Sequence, residues 1–179
     1  MRNLLKRTLS GIIFVLIFFS AILYSENSYI ALIILCGFLC IWEFIRMIKL
    51  KSFVPYVLFA FVLFLMIKRR DSHAISLVLM ISILSSVFLI YQLFAKKEIS
   101  FLNERVKLGV TIRYVIFSVC FLVLLPFYEN NFHPYLMISI LSIIWVNDSF
   151  AFLVGKNFGK NKLFPSVSPK KTIEGFFGG

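Results

Sequence analysis

The stretch Tyr135–Val154, YLMISILSIIWVNDSFAFLV, decides the fold because it is long and apolar enough to cross a membrane. A helix needs about 20 mostly apolar residues to span the hydrocarbon core of a bilayer. The only charged side chain in this stretch is Asp148, which follows the uncharged residues Tyr135–Asn147. The sequence therefore predicts a transmembrane helix with one carboxylate inside it.

Five similar runs precede this stretch, separated by short polar breaks. They are Leu9–Tyr24, Tyr29–Ile45, Phe53–Ile67, Ala74–Ala95 and Leu108–Phe127. Strands with an edge facing lipid would leave backbone N–H and C=O groups without partners, so we expect every run to be helical. The sequence predicts an all-α polytopic integral membrane protein with about six transmembrane helices. We expect one membrane domain over residues 1–179, in which residues 155–179 form a basic cytoplasmic motif.

The composition agrees with lipid as the main solvent of this chain. Hydrophobic residues make up 60% of it and charged residues only 15%, whereas soluble domains carry about 25% charged residues. A net charge of +11 in a membrane protein indicates cytoplasmic loops and anionic lipid headgroups rather than nucleic acid. The three cysteines lie inside apolar runs and are interpreted as packing residues.

The basic residues predict the orientation in the membrane. If the N-terminus is cytoplasmic, all of the 19 Lys and Arg residues except Lys68, Arg69 and Arg70 fall on the inner side, as the positive-inside rule requires. We therefore expect both ends and the active face at the cytosol, in the inner (cytoplasmic) membrane. The three exceptions leave open a re-entrant third segment, which would invert the assignments on one side of it.

Asp148 is the first candidate functional residue. At about 1.5 Å per residue it lies roughly 20 Å along its helix from the outer boundary, in the inner third of a core about 30 Å thick. A carboxylate at that depth is costly unless it is paired, hydrated or bound to a cation, so function is the default hypothesis. The alternative is a polar helix end that reaches the interface. Phe152, Gly155 and Gly159 follow Asp148 on the same helical face, where glycines permit close approach of a helix or a ligand.

The segment after this helix is rich in lysine and glycine. Ser168 followed by Pro169 has the form of a helix N-cap with proline at the first helical position. A helix N-terminus there would offer free N–H groups to an anion beside Lys170 and Lys171. The alternative is a basic segment that only touches anionic lipid, with each lysine contributing about 1 kcal/mol. Elsewhere, Glu43 is expected to pair with Arg46, and His73 and His133 receive no role.

The last 32 residues resemble a known family. The residues that carry the resemblance are Asp148-Ser149-Phe150-Ala151-Phe152, Gly155-Lys156, Gly159-Lys160, Lys162-Leu163, Pro165 and Ser168-Pro169-Lys170-Lys171-Thr172-x-Glu174-Gly175. They are similar to the phosphatidate cytidylyltransferase (CDP-diacylglycerol synthase) family, and Trp42-Glu43-Phe44 resembles its tryptophan–glutamate element. Phe152 replaces the usual tyrosine, and Asn161 replaces a frequent histidine. Neither change removes a charge.

The resemblance implies a reaction and a set of site residues. CTP and phosphatidate would give CDP-diacylglycerol and pyrophosphate, with Mg²⁺ neutralising the phosphates and membrane lipids surrounding the protein. Asp148 and Lys171 would be catalytic, and Asp148 would also help to hold the metal ion. The residues implied to bind substrate are Lys156, Lys160, Lys162, Ser168, Lys170, Thr172 and Glu174.

The family's signature is expected after Gly179. It comprises a Ser-x-x-Lys-Arg element, a Lys-Asp pair, His-Gly-Gly and Asp-Arg-x-Asp. The chain therefore resembles the N-terminal part of such an enzyme, and the expected protein partner is a second copy in a homodimer or a missing C-terminal half. On its own the chain is expected to form little or no CDP-diacylglycerol. Two alternatives remain open, a CTP-dependent polyprenol or phytol kinase and an inactive membrane remnant.

Overall fold

The structure is a computed structural model that describes residues 2–68, 73–94, 103–128, 131–165 and 167–179. Most of these residues are helical. Their contacts group the chain into two compact units, Met1–Pro134 and Tyr135–Gly179. The single domain expected from the sequence stays a prediction, and the two units are described separately.

The first unit contains most of the predicted membrane helices. Its elements are α1 (Arg2–Tyr24), α2 (Glu26–Ile48), α3 (Val54–Lys68), α4 (His73–Phe94), α5 (Glu104–Val110), a π-helical turn (Thr111–Ile116), α6 (Phe117–Leu124) and the short strands β1 (Phe127–Tyr128) and β2 (Asn131–Phe132). The two strands form an antiparallel hairpin. The prediction that these apolar runs are helical is confirmed for most of the described residues, but at the end of the fifth run Leu125 and Pro126 form a turn and Phe127 belongs to β1.

Local sequence explains where α2 begins and ends. Ser25 caps its N-terminus, because the Ser25 hydroxyl accepts the backbone N–H of Ser28 at 3.1 Å while the Ser28 hydroxyl accepts that of Ser25 at 3.0 Å. At the other end Lys49 takes a left-handed conformation with φ of 53°, which terminates the helix. The hydroxyl of Tyr29 donates a 2.6 Å hydrogen bond to the carbonyl of Leu122 and ties α2 to α6.

Four helical segments are long and apolar enough to cross a membrane. They are Glu26–Ile48, Ile75–Gln92, the continuous Glu104–Leu124 and Pro134–Phe158, while Leu9–Tyr24 and Val54–Lys68 are shorter apolar helices. Large apolar side chains are exposed along them: Leu77 is 62% exposed and Leu84 63%. Because water would oppose such exposure, the helices fit a lipid environment. A membrane protein is thus supported, and the count of six spans stays a prediction.

One expectation about charged residues is not met. Arg46 lies over the Trp42 ring, with its guanidinium carbon 5.7 Å from the ring centroid. No ion pair of Glu43 occurs among the residues that the structure describes, so the predicted Glu43–Arg46 pair is wrong. Indole faces attract guanidinium groups, and this contact replaces the pair. Arg69, Arg70, Lys96 and Lys97 lie outside the described residues.

The second unit consists of one long helix and the folded basic segment. Its elements are α7 (Pro134–Phe158, of which Pro134 belongs to the first unit), β3 (Lys162–Phe164), β4 (Ser168–Thr172) and α8 (Ile173–Gly178). The strands β3 and β4 pair antiparallel, with Lys162 opposite Thr172 and Phe164 opposite Ser168. The predicted N-cap at Ser168 is therefore wrong, since pairing with β3 keeps residues 168–172 extended.

Candidate functional site

The second unit folds back on itself so that α8 runs along α7 in the opposite direction. Gly175 faces Gly155, and at the other end of α8 the carbonyl of Gly179 accepts a 2.6 Å hydrogen bond from the side-chain amide of Asn147. A Cβ atom on Gly155 would lie 3.1 Å from Thr172 Oγ1 and 3.3 Å from Gly175 Cα. The close approach of the two helices thus depends on glycine at these positions.

Thr172 rather than Ser168 caps α8. Its side chain is buried, and its hydroxyl accepts the backbone N–H of Gly175 at 3.2 Å. Its backbone is extended, with φ of −120° and ψ of 155°, as N-cap residues require. Thr172 therefore marks the point where β4 turns into α8 beside α7.

A cavity of about 530 Å³ lies between α7 on one side and β3, β4 and α8 on the other. Its lining residues are Asn147, Asp148, Ala151, Phe152, Gly155, Lys156, Leu163, Lys170, Lys171, Thr172, Gly175 and Phe176. The volume is within the usual range for small-molecule sites, roughly 300–1,000 Å³. Its wall combines one carboxylate and three ammonium groups with aromatic and aliphatic side chains, so it could receive a group that is partly anionic and partly apolar.

The cavity unites five of the predicted catalytic and substrate-binding residues. Asp148, Lys156, Lys170, Lys171 and Thr172 all line it. Lys156 follows Asp148 by eight positions, which is about 12 Å along α7. The ammonium of Lys156 lies 6.0 Å from the centroid of the Phe152 ring, a cation–π contact that still leaves its N–H groups for an anion.

Four predicted substrate-binding residues do not line this cavity. They are Lys160, Lys162, Ser168 and Glu174. Lys160 and Lys162 are exposed on the turn and strand that follow α7, and Ser168 lies at the start of β4. Their roles as substrate ligands stay predictions.

Asn147 and Phe176 also line the cavity, although the sequence pattern did not indicate them as site residues. The sequence signal that could have identified Asn147 is its position next to Asp148. In the structure, its side-chain amide donates to the carbonyl of Gly179 at the end of α8. Phe176 belongs to an aromatic pair with Phe177 and carries no chemical signature of a site. Only the reversal of the chain brings it opposite α7.

Glu174 accepts hydrogen bonds instead of pairing with a lysine. Its carboxylate accepts the backbone N–H groups of Lys160 and Asn161, each at 3.1 Å, and the side-chain amide of Asn161 at 3.0 Å. A hydrogen bond from its own backbone N–H, together with those from Asn161 and Lys160, holds the pKa of the Glu174 carboxyl below its usual value. Among the described residues, no lysine ammonium lies within ion-pair distance of it.

The cavity offers a single carboxylate to a metal ion. Within the described ranges, no group of three or more His, Cys, Asp or Glu side chains comes together. Mg²⁺ typically keeps several waters and binds one or two carboxylates plus substrate phosphates. The donor set around Asp148 therefore fits Mg²⁺ that arrives with a phosphate ligand, and it does not fit a metal held by protein groups alone.

Comparison with known proteins places the chain in a family. The model of the cytidylyltransferase family matches residues 5–179. The chain belongs to the cytidylyltransferase family. This membership agrees with the resemblance carried by Asp148 and the lysine-rich segment, and it extends that resemblance through the first unit.

Several phosphatidate cytidylyltransferases are similar to this member of the cytidylyltransferase family. The protein from Aquifex aeolicus is 64% identical over 45 residues, which are 25% of this chain and 17% of that protein. Those from Staphylococcus epidermidis and Bacillus subtilis are 31% and 27% identical, and they cover 97% and 100% of this chain. The chain spans 66% of the Staphylococcus epidermidis protein and 68% of the Bacillus subtilis protein. No solved structure matches it.

Proposed function

We propose that the protein to which this chain belongs is a phosphatidate cytidylyltransferase. The observation that carries the proposal is the convergence of Asp148, Lys156, Lys170, Lys171 and Thr172 on one cavity in a member of the cytidylyltransferase family. The names of the similar proteins support the same substrates, CTP and phosphatidate. The mixed wall of the cavity suits a reaction in which one substrate is a lipid phosphate.

The reaction is a transfer of a cytidylyl group. A phosphate oxygen of phosphatidate attacks the α-phosphorus of CTP and forms a new P–O bond. The bond from the α-phosphorus to the oxygen bridging the α- and β-phosphorus breaks, and pyrophosphate leaves with that oxygen. Such transfers rest on positioning and on neutralisation of charge. The three lysines of the cavity supply positive charge for the two phosphate-bearing substrates.

Asp148 and Lys171 would carry the central roles. Lys171 lies next to the buried cap residue Thr172, so its backbone is fixed where β4 meets α8. Mg²⁺, when bound with CTP, would neutralise the phosphates and polarise the α-phosphorus. Asp148 would hold that ion from α7 or orient a lysine toward the phosphates.

The location follows from the same proposal. A lipid substrate and a water-soluble nucleotide meet only at a membrane surface, and CTP is cytosolic. We therefore propose six spans with both ends at the cytosol, in the inner membrane, with the cavity open to the cytosolic face. Support comes from the four long and two shorter apolar helices and from the bias of basic residues in the sequence.

The position of a label in CTP separates this activity from the alternatives. A cytidylyltransferase moves the α-phosphate of CTP to phosphatidate, whereas a CTP-dependent polyprenol or phytol kinase moves the γ-phosphate to an alcohol. Membranes from cells that express the gene encoding this chain would be supplied with α- or γ-labelled CTP, Mg²⁺, and either phosphatidate or polyprenol. We expect the α-label in a phosphatidate-derived lipid. Label from the γ-position in polyprenol would establish the kinase, and no lipid label from either would indicate an inactive protein.

A further inference from the structure

Glu174 is the one carboxylate among the lysines of the basic segment, and it accepts hydrogen bonds from its own backbone N–H and from a neighbouring turn. The turn comprises residues 159–161 and connects α7 with β3. The carboxylate accepts two backbone N–H groups and one side-chain amide there, from Lys160 and Asn161. We call these contacts the Glu174 latch.

The latch joins the two walls of the cavity. The turn is tied to α7 because the backbone N–H of Gly159 donates to the carbonyl of Gly155 at 3.1 Å. It is tied to α8 by the latch and by the backbone N–H of Ile173, which donates to the carbonyl of Asn161 at 2.9 Å. Lys156 lies on the α7 wall and Lys171 on the β4 wall. The turn is therefore one of the links between the walls that carry these two lysines, beside the β3–β4 pairing and the Gly155–Gly175 contact.

We propose that Glu174 is a positioning residue, which holds the α7 wall and the β4–α8 wall at one spacing so that Lys156 and Lys171 meet the substrate phosphates together. The inference rests on the proposed function, because it assigns the lysines to phosphates. It revises the expectation that Glu174 binds substrate. Fixing charged groups before the substrate arrives avoids the cost of ordering them in the reaction.

The chemistry of the latch calls for a carboxylate. Three N–H donors from Lys160 and Asn161 point at two oxygens. A glutamine would offer only one acceptor oxygen, and its NH₂ group would face donors. Because the negative charge of the Glu174 carboxylate is directed to N–H groups of the turn, the lysines of the cavity can bind anions. Their ammonium groups would otherwise compete for the Glu174 carboxylate.

The first arm of the test measures the latch without any ligand. Hydrogen–deuterium exchange of residues 155–164 would be followed in the detergent-purified 179-residue chain, in Glu174→Ala and in Glu174→Gln. We expect Glu174→Ala to speed exchange at Lys160 and Asn161 by about tenfold, as the loss of hydrogen bonds to a charged group should, and Glu174→Gln to have a smaller effect. Glu26→Ala is the matched control, because Glu26 is also a partly exposed glutamate in the first turn of a helix but lies in the first unit. It should leave these amides unchanged.

The second arm measures CTP affinity with Mg²⁺ present, in the same variants and at a temperature well below their unfolding midpoints. We expect Glu174→Ala to weaken binding by about fivefold or more, Glu174→Gln to fall between it and wild type, and Glu26→Ala to match wild type. Unchanged exchange in Glu174→Ala would overturn the latch. Faster exchange with wild-type CTP affinity would overturn its positioning role. If the wild-type chain itself does not bind CTP, the assignment of the cavity to a nucleotide is wrong, and the positioning role that rests on it is wrong too. The hydrogen–deuterium exchange results would still test the Glu174 latch.

Discussion

At the scale of single residues, Asp148 and Lys171 are the strongest candidates for catalysis, because they place opposite charges on opposite walls of one cavity. We predict that, in the whole protein to which this chain belongs, Asp148→Asn and Lys171→Ala each lower the rate of CDP-diacylglycerol formation by at least about tenfold, equivalent to about 1.4 kcal/mol of transition-state stabilisation. The measurement is incorporation of α-labelled CTP into lipid by membranes with matched amounts of each variant.

The control for this prediction is Lys51→Ala. Lys51 is an exposed lysine between α2 and α3, in the first unit, and its removal changes the net charge by the same amount as Lys171→Ala. We expect wild-type incorporation from it. Wild-type rates in both Asp148→Asn and Lys171→Ala would refute the assignment of the site.

Glu174 gives a prediction about pH. Its pKa is lower in the folded protein than in the unfolded chain, chiefly through the hydrogen bond from its own backbone N–H and then those from Asn161 and Lys160. The latch should therefore contribute fully above the unfolded pKa and be lost as the pH falls through the folded value. Exchange at Lys160 and Asn161, corrected for intrinsic rates, should stay protected from pH 7 to about 4.5 and then lose protection in more acidic solution. Glu174→Gln should lack this transition, and an identical transition in that variant would exclude Glu174 as its cause.

Residue types and their spacing in the sequence identified many of the residues of the site, but not which of them lie together in space. Asp148 could be singled out because a charge inside an apolar run needs a reason, and the lysines because they cluster after that run. The position of Phe176 opposite α7 could not be predicted, because it depends on the reversal of the chain between α7 and α8. The hydrogen-bond partners of Glu174 could not be predicted either. A carboxylate near lysines usually suggests an ion pair, but this one accepts hydrogen bonds from N–H groups instead.

At the scale of elements, the close contact between α7 and α8 depends on glycine. A Cβ atom on Gly175 would lie 2.8 Å from the carbonyl oxygen of Ala151 and 3.0 Å from Gly155 Cα, and neither backbone atom can move away easily. We predict that Gly175→Ala destabilises the second unit by about 1–3 kcal/mol, the usual cost of overpacking. A thermal or denaturant transition reported by exchange within residues 135–179 would measure it.

Gly11 provides the matched control, since a Cβ atom there meets nothing within 4 Å. Alanine is a better helix former than glycine by about 1 kcal/mol, so Gly11→Ala should be neutral or slightly stabilising. Equal effects of Gly11→Ala and Gly175→Ala would contradict the packing described for α8.

The helices of the apolar runs could be predicted because lipid offers no hydrogen-bond partners, so the backbone groups must bond to each other within a helix. The hairpin of β3 and β4 and the helix α8 could not be predicted in this way. Residues 155–179 show neither the alternation of apolar residues typical of a strand nor the spacing of three to four residues typical of a helix. The expected cap at Ser168 failed for a related reason. Its Ser-Pro pattern is locally suited to a helix start, but pairing of Phe164 with Ser168 and of Lys162 with Thr172 moves that start to Thr172.

At the scale of the whole molecule, the proposed topology can be tested with single cysteines. In a chain whose Cys36, Cys40 and Cys120 are replaced by alanine, Lys51→Cys and His133→Cys would introduce thiols at exposed positions. With six spans and cytosolic ends, a membrane-impermeant maleimide should label His133→Cys in cells with a permeabilised outer envelope and label Lys51→Cys only after the inner membrane is opened. The reverse pattern, or labelling of both in intact spheroplasts, would contradict the proposed topology.

The central claim is that the cavity of the second unit holds the phosphates of CTP, and binding tests it most directly. Titration of CTP with Mg²⁺ into the detergent-purified wild-type chain would be compared with Lys170→Ala/Lys171→Ala and with the Lys51→Ala control. We predict saturable binding by wild type and by the control, and affinity at least about tenfold lower in the double variant. Wild-type affinity in Lys170→Ala/Lys171→Ala, or no binding by the wild-type chain, would contradict the claim.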